Sequence, residues 1–224
     1  RMPATLKLAA FSMLLALVVS VPLGILAALK HNSIWDSLAT ALATVGVSLP
    51  KFWFGLVLMI VFSLRLGWLP STGSAELSEG LGTFLSYIIM PAASLALGMA
   101  ATQTRMIRSS MLDVLNQDYV RYARSKGLRE RVVIWGHALK NAMIPVITVI
   151  GGEVGGLLGG AVVTESIFSW PGVGRLMMNS ISKRDYPMIQ GITLMLCISY
   201  LLVNLLIDIV YAWVDPRIRL DKKS

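Results

Sequence analysis

Residues 118–145 read DYVRYARSKGLRERVVIWGHALKNAMIP and place a basic, polar segment between apolar stretches. Lysine and arginine recur from Arg121 to Lys140, and Glu130 is the only acid in that interval. Gly127 interrupts the helix-favouring residues, which predicts a compact helix–turn unit. A segment this polar between membrane spans is expected in the cytoplasm, where another protein can contact it.

The composition around this segment is that of an integral membrane protein. The chain has 224 residues, of which 55% are hydrophobic and only 14% are charged, whereas a soluble domain carries about 25% charged residues. The net charge of +8 lies largely beside apolar stretches, and the positive-inside rule explains it. We therefore expect membrane lipid, and no nucleic acid, around this chain.

Five apolar stretches are long enough to cross a bilayer, which takes about 20 residues. They run from Leu6 to Leu29, from about Ser37 to Leu66, from about Phe84 to Ala101, from about Ala142 to Val163 and from about Pro187 to Trp213. The second is too long for one straight helix, and Pro50 is expected to kink or break it. The sequence thus predicts an all-α, polytopic transmembrane bundle that forms a single domain over residues 1–224.

The distribution of lysine and arginine predicts the orientation. If residues 30–36, 105–140 and the tail from 214 share one side, that side holds thirteen basic residues and the other side holds six. The richer side is assigned to the cytoplasm, so the C-terminus is expected inside and residue 1 outside. Five crossings with an outside N-terminus predict a sixth span before residue 1.

No catalytic, cofactor or metal site is expected in this chain. The sequence contains no Gly-x-x-x-x-Gly-Lys-Ser/Thr phosphate loop, no nucleophile elbow and no cluster with metal-ligand spacing. We therefore expect the chain not to be an enzyme, and any chemical energy that it uses must come from a partner.

The fourth apolar stretch contains rows of glycine. Gly151, Gly155 and Gly159 repeat every four residues, and a second row occupies the adjacent helical face. Such rows favour close helix packing in lipid, and the alternative is a smooth wall along a solute pathway. Glu153 lies between them at membrane depth, where a carboxylate faces either a pathway or a structural partner. Gln103, in a polar patch of the third stretch, is open to the same two interpretations.

The basic segment also has two interpretations. It can rest on anionic lipid headgroups as an amphipathic helix, or it can dock into a groove of a partner protein. Trp170, in the outer connection between the last two spans, suits an interfacial aromatic belt, and Pro171-Gly172 predicts a turn.

Several motifs together resemble one known family. YARSKG at 122–127, HALKNA at 137–142 and Pro145 resemble the "EAA" loop of ABC-importer permeases. Ala123, Gly127 and Leu139 match that pattern, whereas Arg121, Tyr122 and His137 depart from it. The departures resemble the dipeptide, oligopeptide and nickel branch, of the B-subunit kind. Further similarities to that branch are RMPATL at 1–6, GWLP at 67–70, FSWPGVGR at 168–175, RDYP at 184–187 and DPR at 215–217.

The resemblance implies a type I ABC importer permease fold in the bacterial inner membrane. It implies import of di- or oligopeptides, with nickel or another metal chelate, or glutathione, as alternatives within the same architecture. The implied partners are a second homologous permease, two ABC ATPase subunits that bind Mg-ATP, and a periplasmic or lipid-anchored substrate-binding protein.

The resemblance also assigns roles to residues. The coupling loop would cover about 111–141. The residues expected to act in coupling to the ATPase are Tyr119, Arg121, Tyr122, Ala123, Lys126, Gly127, Leu128, Glu130 and His137. The candidates for an external gate are Trp170, Pro171, Gly172 and Arg175.

Two hypotheses from other classes compete with this one. An ATP-independent secondary transporter or channel would use Glu153 or Asp208 for protons and would show an inverted repeat with broken helices in both halves. No convincing repeat of that kind is visible in the sequence. A membrane scaffold that transports nothing is the third hypothesis.

Overall fold

The structure is a computed structural model that describes residues 1–214, and helices dominate this range. In chain order the helices are α1 (Met2–Leu29), α2 (Ile34–Ser48), α3 (Lys51–Leu58, continued by a π-helix at Met59–Arg65), a 3-10 turn at Leu77–Glu79, α4 (Leu81–Leu115), α5 (Asp118–Ser125), α6 (Glu130–Val132, continued by a π-helix at Val133–Ala138), α7 (Leu139–Gly160), α8 (Val162–Ile167), α9 (Val173–Ser182) and α10 (Tyr186–Val214). The basic tail from residue 215, which contributed to the predicted cytoplasmic C-terminus, lies outside the described residues.

The predicted apolar stretches each correspond to a helix or a helix pair. Four helical runs in the described residues are long and apolar enough to cross a membrane: α1, α4, Glu130–Leu157 and Tyr186–Ile207. The α2–α3 pair supplies a fifth if the two bent helices count as one span. The all-α, polytopic prediction is therefore confirmed.

The predicted break at Pro50 is a sharp elbow between α2 and α3. The two helices are bent by 102° relative to each other, and Leu49 and Pro50 have extended backbone conformations. The proline ring disfavours a helical conformation at Leu49, and proline lacks an N–H for the helical ladder. The stretch from Ser37 to Leu66 is thus two elements that share one apolar sequence.

Two predicted boundaries were wrong. The third stretch is α4, which extends from Leu81 to Leu115, because the polar residues after Ala101 continue the helix without a breaker. Its inward face after that point is Gln103, Thr104, Ile107, Ser110 and Met111, which are all buried at helical spacing. The fourth stretch begins inside the basic segment, since the helical run continues from Glu130 through a π-helix to Gly160.

Helices α1 and α4 form the centre of the fold. One apolar cluster joins Leu8 and Ala16 of α1 to Ile88 and Leu95 of α4, and a second joins Ile25 to Ile107 and Met111. Small residues allow the close approach: a Cβ at Gly24 would lie 2.7 Å from the Cβ of Ile107. The backbones of α1 and α4 therefore pack as closely as small-residue contacts in lipid allow.

This close approach predicts the effect of one methyl group. Gly24→Ala should lower the stability of the purified transporter by about 1–3 kcal/mol, because the added Cβ overpacks the interface. Gly191→Ala is the matched control, since a Cβ there meets nothing within 4 Å. The measurement is the thermal melting temperature of both variants beside the wild type, and an equal melting temperature for Gly24→Ala contradicts the packing argument.

Candidate functional site

The basic segment folds as a helix–turn–helix unit around Gly127. Helix α5 ends at Ser125, and Gly127 has φ +74°, a left-handed conformation that favours glycine. Across the turn the Arg124 guanidinium donates a hydrogen bond of 2.6 Å to the Glu130 carboxylate. The chain then enters α6 and continues into α7. The turn predicted at Gly127 is confirmed.

The apolar face of this unit is already used inside the molecule. Val120, Ala123 and Val133 are buried together and pack against Val114 and Leu115 at the end of α4. The unit is therefore packed against the end of α4. Ala123, predicted as a coupling residue, faces this packing contact and not the surface.

The opposite face of the unit is exposed and carries aromatic and basic side chains. Tyr122 is 61% exposed and Trp135 is 56% exposed, and Lys126 lies 4.7 Å from the centre of the Tyr122 ring. The other predicted coupling residues that are exposed are Tyr119, Arg121, Gly127, Leu128 and Glu130, whereas His137 is half-buried. The exposure of two large aromatic side chains on this unit makes it a candidate interaction surface.

A polar network crosses the bundle at membrane depth. The Ser20 hydroxyl donates to Gln103 Oε1 at 2.9 Å, and Gln103 Nε2 donates to Glu153 Oε2 at 2.6 Å. Gln103 is completely buried, so it joins α1, α4 and α7 and does not line an open pathway. Glu153 is half-buried; it has a structural partner in Gln103 and also lines a cavity, and its role in a solute pathway stays a prediction.

This cavity, called the elbow cavity below, has a volume of about 350 Å³. It lies between the α2–α3 elbow, α4 and α7. Its lining residues are Val47, Lys51, Gly98, Met99, Thr102, Glu153, Gly156 and Leu157. Lys51, Thr102 and Gly156 are exposed, so the cavity opens to the surface of the chain.

The two glycine rows of α7 differ in their surroundings. A Cβ at Gly151 would lie 2.5 Å from Ile207 Cγ2, and one at Gly155 would lie 2.7 Å from Tyr200 Cε2. These two glycines therefore allow α10 to pack against α7. Gly159 was grouped with them, but it is exposed and a Cβ there meets nothing within 4 Å. Gly152 and Gly156 likewise meet nothing, so the second row leaves open space.

The outer connection contains a buried carboxylate that the sequence analysis did not assign. Glu165 of α8 is completely buried and accepts a hydrogen bond of 2.7 Å from Thr5 Oγ1 and one of 3.1 Å from the Arg175 backbone N–H. The Gly174 N–H also faces it. These N–H groups belong to the first turn of α9, where the helix dipole stabilises a negative charge. Burial raises the pKa of the Glu165 carboxyl above its usual range, and the three donors oppose that rise.

The predicted gate residues surround this carboxylate. Trp170 is only 2% exposed, and its Nε1 donates to the Ala4 carbonyl at 2.9 Å. The expectation that Trp170 lies in an interfacial belt is therefore wrong, because the ring fills the space between α1 and α4. Gly172 has no room for a Cβ, which would overlap the Glu165 carboxylate. Pro171 and Arg175 are partly exposed, and the Arg175 guanidinium donates to the Ser169 carbonyl at 2.6 Å.

A second unassigned contact fixes the start of α2. Asp36 is 5% exposed and accepts hydrogen bonds from Arg108 Nε and Arg108 Nη2, the latter at 2.8 Å. His31 Nδ1 lies 3.1 Å from the same carboxylate. In the sequence Arg108 counted only as one positive charge beside the membrane. The positions 36 and 108 are too far apart along the chain for the sequence to pair them.

The fold of this chain is shared with chains of solved ABC transporters. A chain of the MetNI methionine ABC transporter in an inward-facing conformation superposes with a TM-score of 0.77 and covers 95% of this chain and 93% of that one, at 15% identity. A chain of an amino acid ABC transporter solved with histidines gives a TM-score of 0.70 over 94% and 91% of the two chains, at 14% identity. This likeness establishes the type I permease fold.

The sequence then identifies the family. The family model of the binding-protein-dependent transport system inner membrane component matches residues 20–220, and this chain belongs to that family. It is thus a multi-pass component of the inner membrane and a transport permease subunit.

Curated relatives place the chain in the predicted branch. It is 45% identical over 220 residues to the oligopeptide transport system permease protein AppB of Bacillus subtilis, covering 97% of this chain and 70% of the relative. It is 44% identical over 237 residues to the di/tripeptide transport system permease protein DppB of Pseudomonas aeruginosa, with coverage of 97% and 70%. The dipeptide transport system permease protein DppB of Escherichia coli is 43% identical over 242 residues, with coverage of 98% and 71%. The resemblance to the dipeptide and oligopeptide branch is confirmed.

The buried carboxylate of the outer connection gives a second prediction. Glu165→Gln should lower the stability of the transporter by about 1–3 kcal/mol, because an amide NH₂ group would face a hydrogen-bond donor in a buried site. Asp113→Asn removes a carboxylate from an exposed position of α4 and serves as the control. Thermal melting of the two purified variants distinguishes them, and an unchanged melting temperature for Glu165→Gln counts against a structural role of the carboxylate.

Proposed function

We propose that this chain is one of two permease subunits of an importer that moves di- or oligopeptides across the bacterial inner membrane. A second, homologous permease completes the pathway. Two ABC ATPase subunits bind Mg-ATP and supply the energy, and a periplasmic or lipid-anchored binding protein delivers the peptide. The names of the relatives, which are oligopeptide, dipeptide and di/tripeptide permeases, support peptides as the substrate class.

The observation that carries the proposal is the two-sided packing of the basic segment. Val120 and Ala123 of α5 are buried against α4, while Tyr122 and Trp135 are exposed beside basic residues. A helix that is packed on one face and exposes aromatic side chains on the other can bind in a groove of a partner protein. The ATPase subunit is the partner that this class of permease requires.

The same packing disfavours the lipid alternative. An amphipathic helix binds a membrane surface by burying its own apolar face among the acyl chains. In α5 that face is already occupied by Val114, Leu115 and Val133. The exposed face has mixed aromatic and charged side chains, which fit a protein groove better than a bilayer.

The chain's own connections support a route by which a displacement of the segment would reach the membrane. Helix α5 rests on the end of α4, and α6 continues into α7 without an intervening loop. Helix α7 carries Glu153 and the glycine rows. A movement imposed on the segment by the ATPases would therefore tilt α4 and α7 together and change the space beside the elbow.

The proposed orientation places the segment and the C-terminus in the cytoplasm. The distribution of lysine and arginine supports this orientation, because the side that includes this segment holds thirteen basic residues and the other side holds six. The Glu165 site and the candidate gate residues Trp170, Pro171, Gly172 and Arg175 then face the periplasm. In that position they contact the binding protein or close the outer end of the pathway.

A pair of substitutions at Gly127 tests the coupling role. Gly127→Val should reduce ATP-driven uptake by about tenfold, because a left-handed backbone costs a β-branched residue about 1–2 kcal/mol. Gly127→Asn is the matched variant, since asparagine tolerates this conformation. The measurement is uptake and ATP hydrolysis by the complete transporter in proteoliposomes. Coupled uptake by Gly127→Val at the wild-type rate would contradict the coupling role.

Reconstitution of the complete transporter tests the proposed function as a whole. Labelled dialanine should accumulate only when both permeases, the ATPases, the binding protein and ATP are present. Uptake by this chain alone, or uptake without ATP, would favour a secondary transporter or channel.

A further inference from the structure

The elbow cavity contains two side chains of opposite charge at membrane depth. Lys51 is the first residue of α3, and its Cε lies 3.5 Å from the position that a Cβ would take at Gly98 of α4. Glu153 reaches the same cavity from α7. Ionisable groups are rare within membrane spans, and they mark substrate pathways more often than other side chains do.

The two groups do not form a direct ion pair. The Lys51 ammonium and the Glu153 carboxylate are not within the 4.0 Å limit that the ion pairs of the described residues meet. The partner of Glu153 is Gln103, which binds Oε2 at 2.6 Å. No partner in the described part of the chain binds the other oxygen, Oε1.

The arrangement therefore leaves one cation and one carboxylate oxygen that line a common space. A ligand that carries both charges, separated by a short distance, would satisfy both groups. The volume of about 350 Å³ falls within the range of about 300–1,000 Å³ that is usual for small-molecule sites.

We infer that the elbow cavity binds the main chain of a short peptide with free termini, with Lys51 contacting the carboxylate and Glu153 contacting the ammonium group. This inference rests on the proposed function, because it assigns a site to the peptide that the importer moves. An extended dipeptide spans about 7 Å, and Lys51 and Glu153 enter the cavity from two different helices, α3 and α7.

The remaining walls combine glycines with the apolar side chains of Val47, Met99 and Leu157, and they add no further charge. Gly98 and Gly156 line the cavity without a side chain, and a Cβ at Gly156 meets nothing within 4 Å. The Thr102 hydroxyl already donates to the Gly98 carbonyl at 3.1 Å. Open glycine walls leave room for peptide side chains of different size, so the site selects for the two terminal charges.

Neutral substitutions test the inference in the complete reconstituted transporter. Lys51→Met keeps the apolar stem, and Glu153→Gln keeps an acceptor for Gln103. Each should lower ATP-driven uptake of dialanine about tenfold, which is the usual effect of losing one hydrogen bond to a charged group. The exposed positions Lys183 and Glu79 provide matched controls, and Lys183→Met and Glu79→Gln should transport at the wild-type rate.

The double variant Lys51→Met/Glu153→Gln separates peptide binding from mutual neutralisation. If both groups bind the peptide, the double variant transports more slowly than either single variant. If the two charges only neutralise each other, removing both restores uptake. Uptake by the double variant at or above the rate of the single variants would overturn the inference.

A binding measurement without the binding protein tests which end each residue contacts. In nanodiscs that contain the permeases and ATPases, labelled dialanine should be displaced about tenfold better by dialanine than by dialanine amide or N-acetyl-dialanine. Lys51→Met should remove only the preference over the amide, and Glu153→Gln only the preference over the acetylated peptide. Equal displacement by all three compounds in the wild type, or no saturable binding, would overturn the inference.

Failure of the proposed function and failure of the peptide site in the elbow cavity give different results. If the wild-type transporter takes up no dialanine, the proposed function is wrong. If the wild type takes up dialanine and the charge-neutral variants do so equally well, the importer is confirmed and the elbow cavity is not its peptide site.

Discussion

The close contact between α1 and α4 is the constraint on which the rest of the structure depends. Lipid provides little hydrophobic drive for helices to associate, so association depends on close packing and on polar contacts. Here the small residues Ala16 and Gly24 let α1 approach the long helix α4. The other elements then pack on α4: the elbow along its middle, α7 beside it and the α5 unit at its end.

Polar contacts fix the positions of the helices that the apolar clusters hold together. One lies near each end of α1, at Thr5 with Glu165 and at Asp36 with Arg108, and a third crosses the middle through Ser20, Gln103 and Glu153. Each interhelical hydrogen bond in a membrane contributes only about 0.6 kcal/mol on average. These hydrogen bonds instead fix the register and rotation of the helices, because apolar contacts alone allow helices to slide and rotate against each other. Glu153 belongs to this third contact through Oε2, and the same side chain also lines the elbow cavity.

Patterns that depend on neighbouring residues could be predicted from the sequence. The apolar stretches, the break at Pro50 and the turn at Gly127 all follow from local chemistry, and all three are present in the structure. The end of α4 was missed because hydropathy falls after Ala101 while helix propensity does not. The partners of Glu165 and Asp36 were missed because they lie 160 and 72 positions away. A single sequence contains no signal for such a pairing beyond the presence of an acid in an apolar setting.

The separation of Thr5 and Glu165 along the chain also determines when their contact can form during synthesis. Thr5 enters the membrane with α1, but its partner Glu165 is 160 residues further along. At translation rates of about 5–20 residues per second, the ribosome takes roughly 8–30 seconds to reach it. During that interval the start of α1 has neither the Glu165 carboxylate nor the Trp170 ring beside it. Helix α1 therefore inserts well before its contacts with Glu165 and Trp170 can form, and these contacts are a late step of assembly in the membrane.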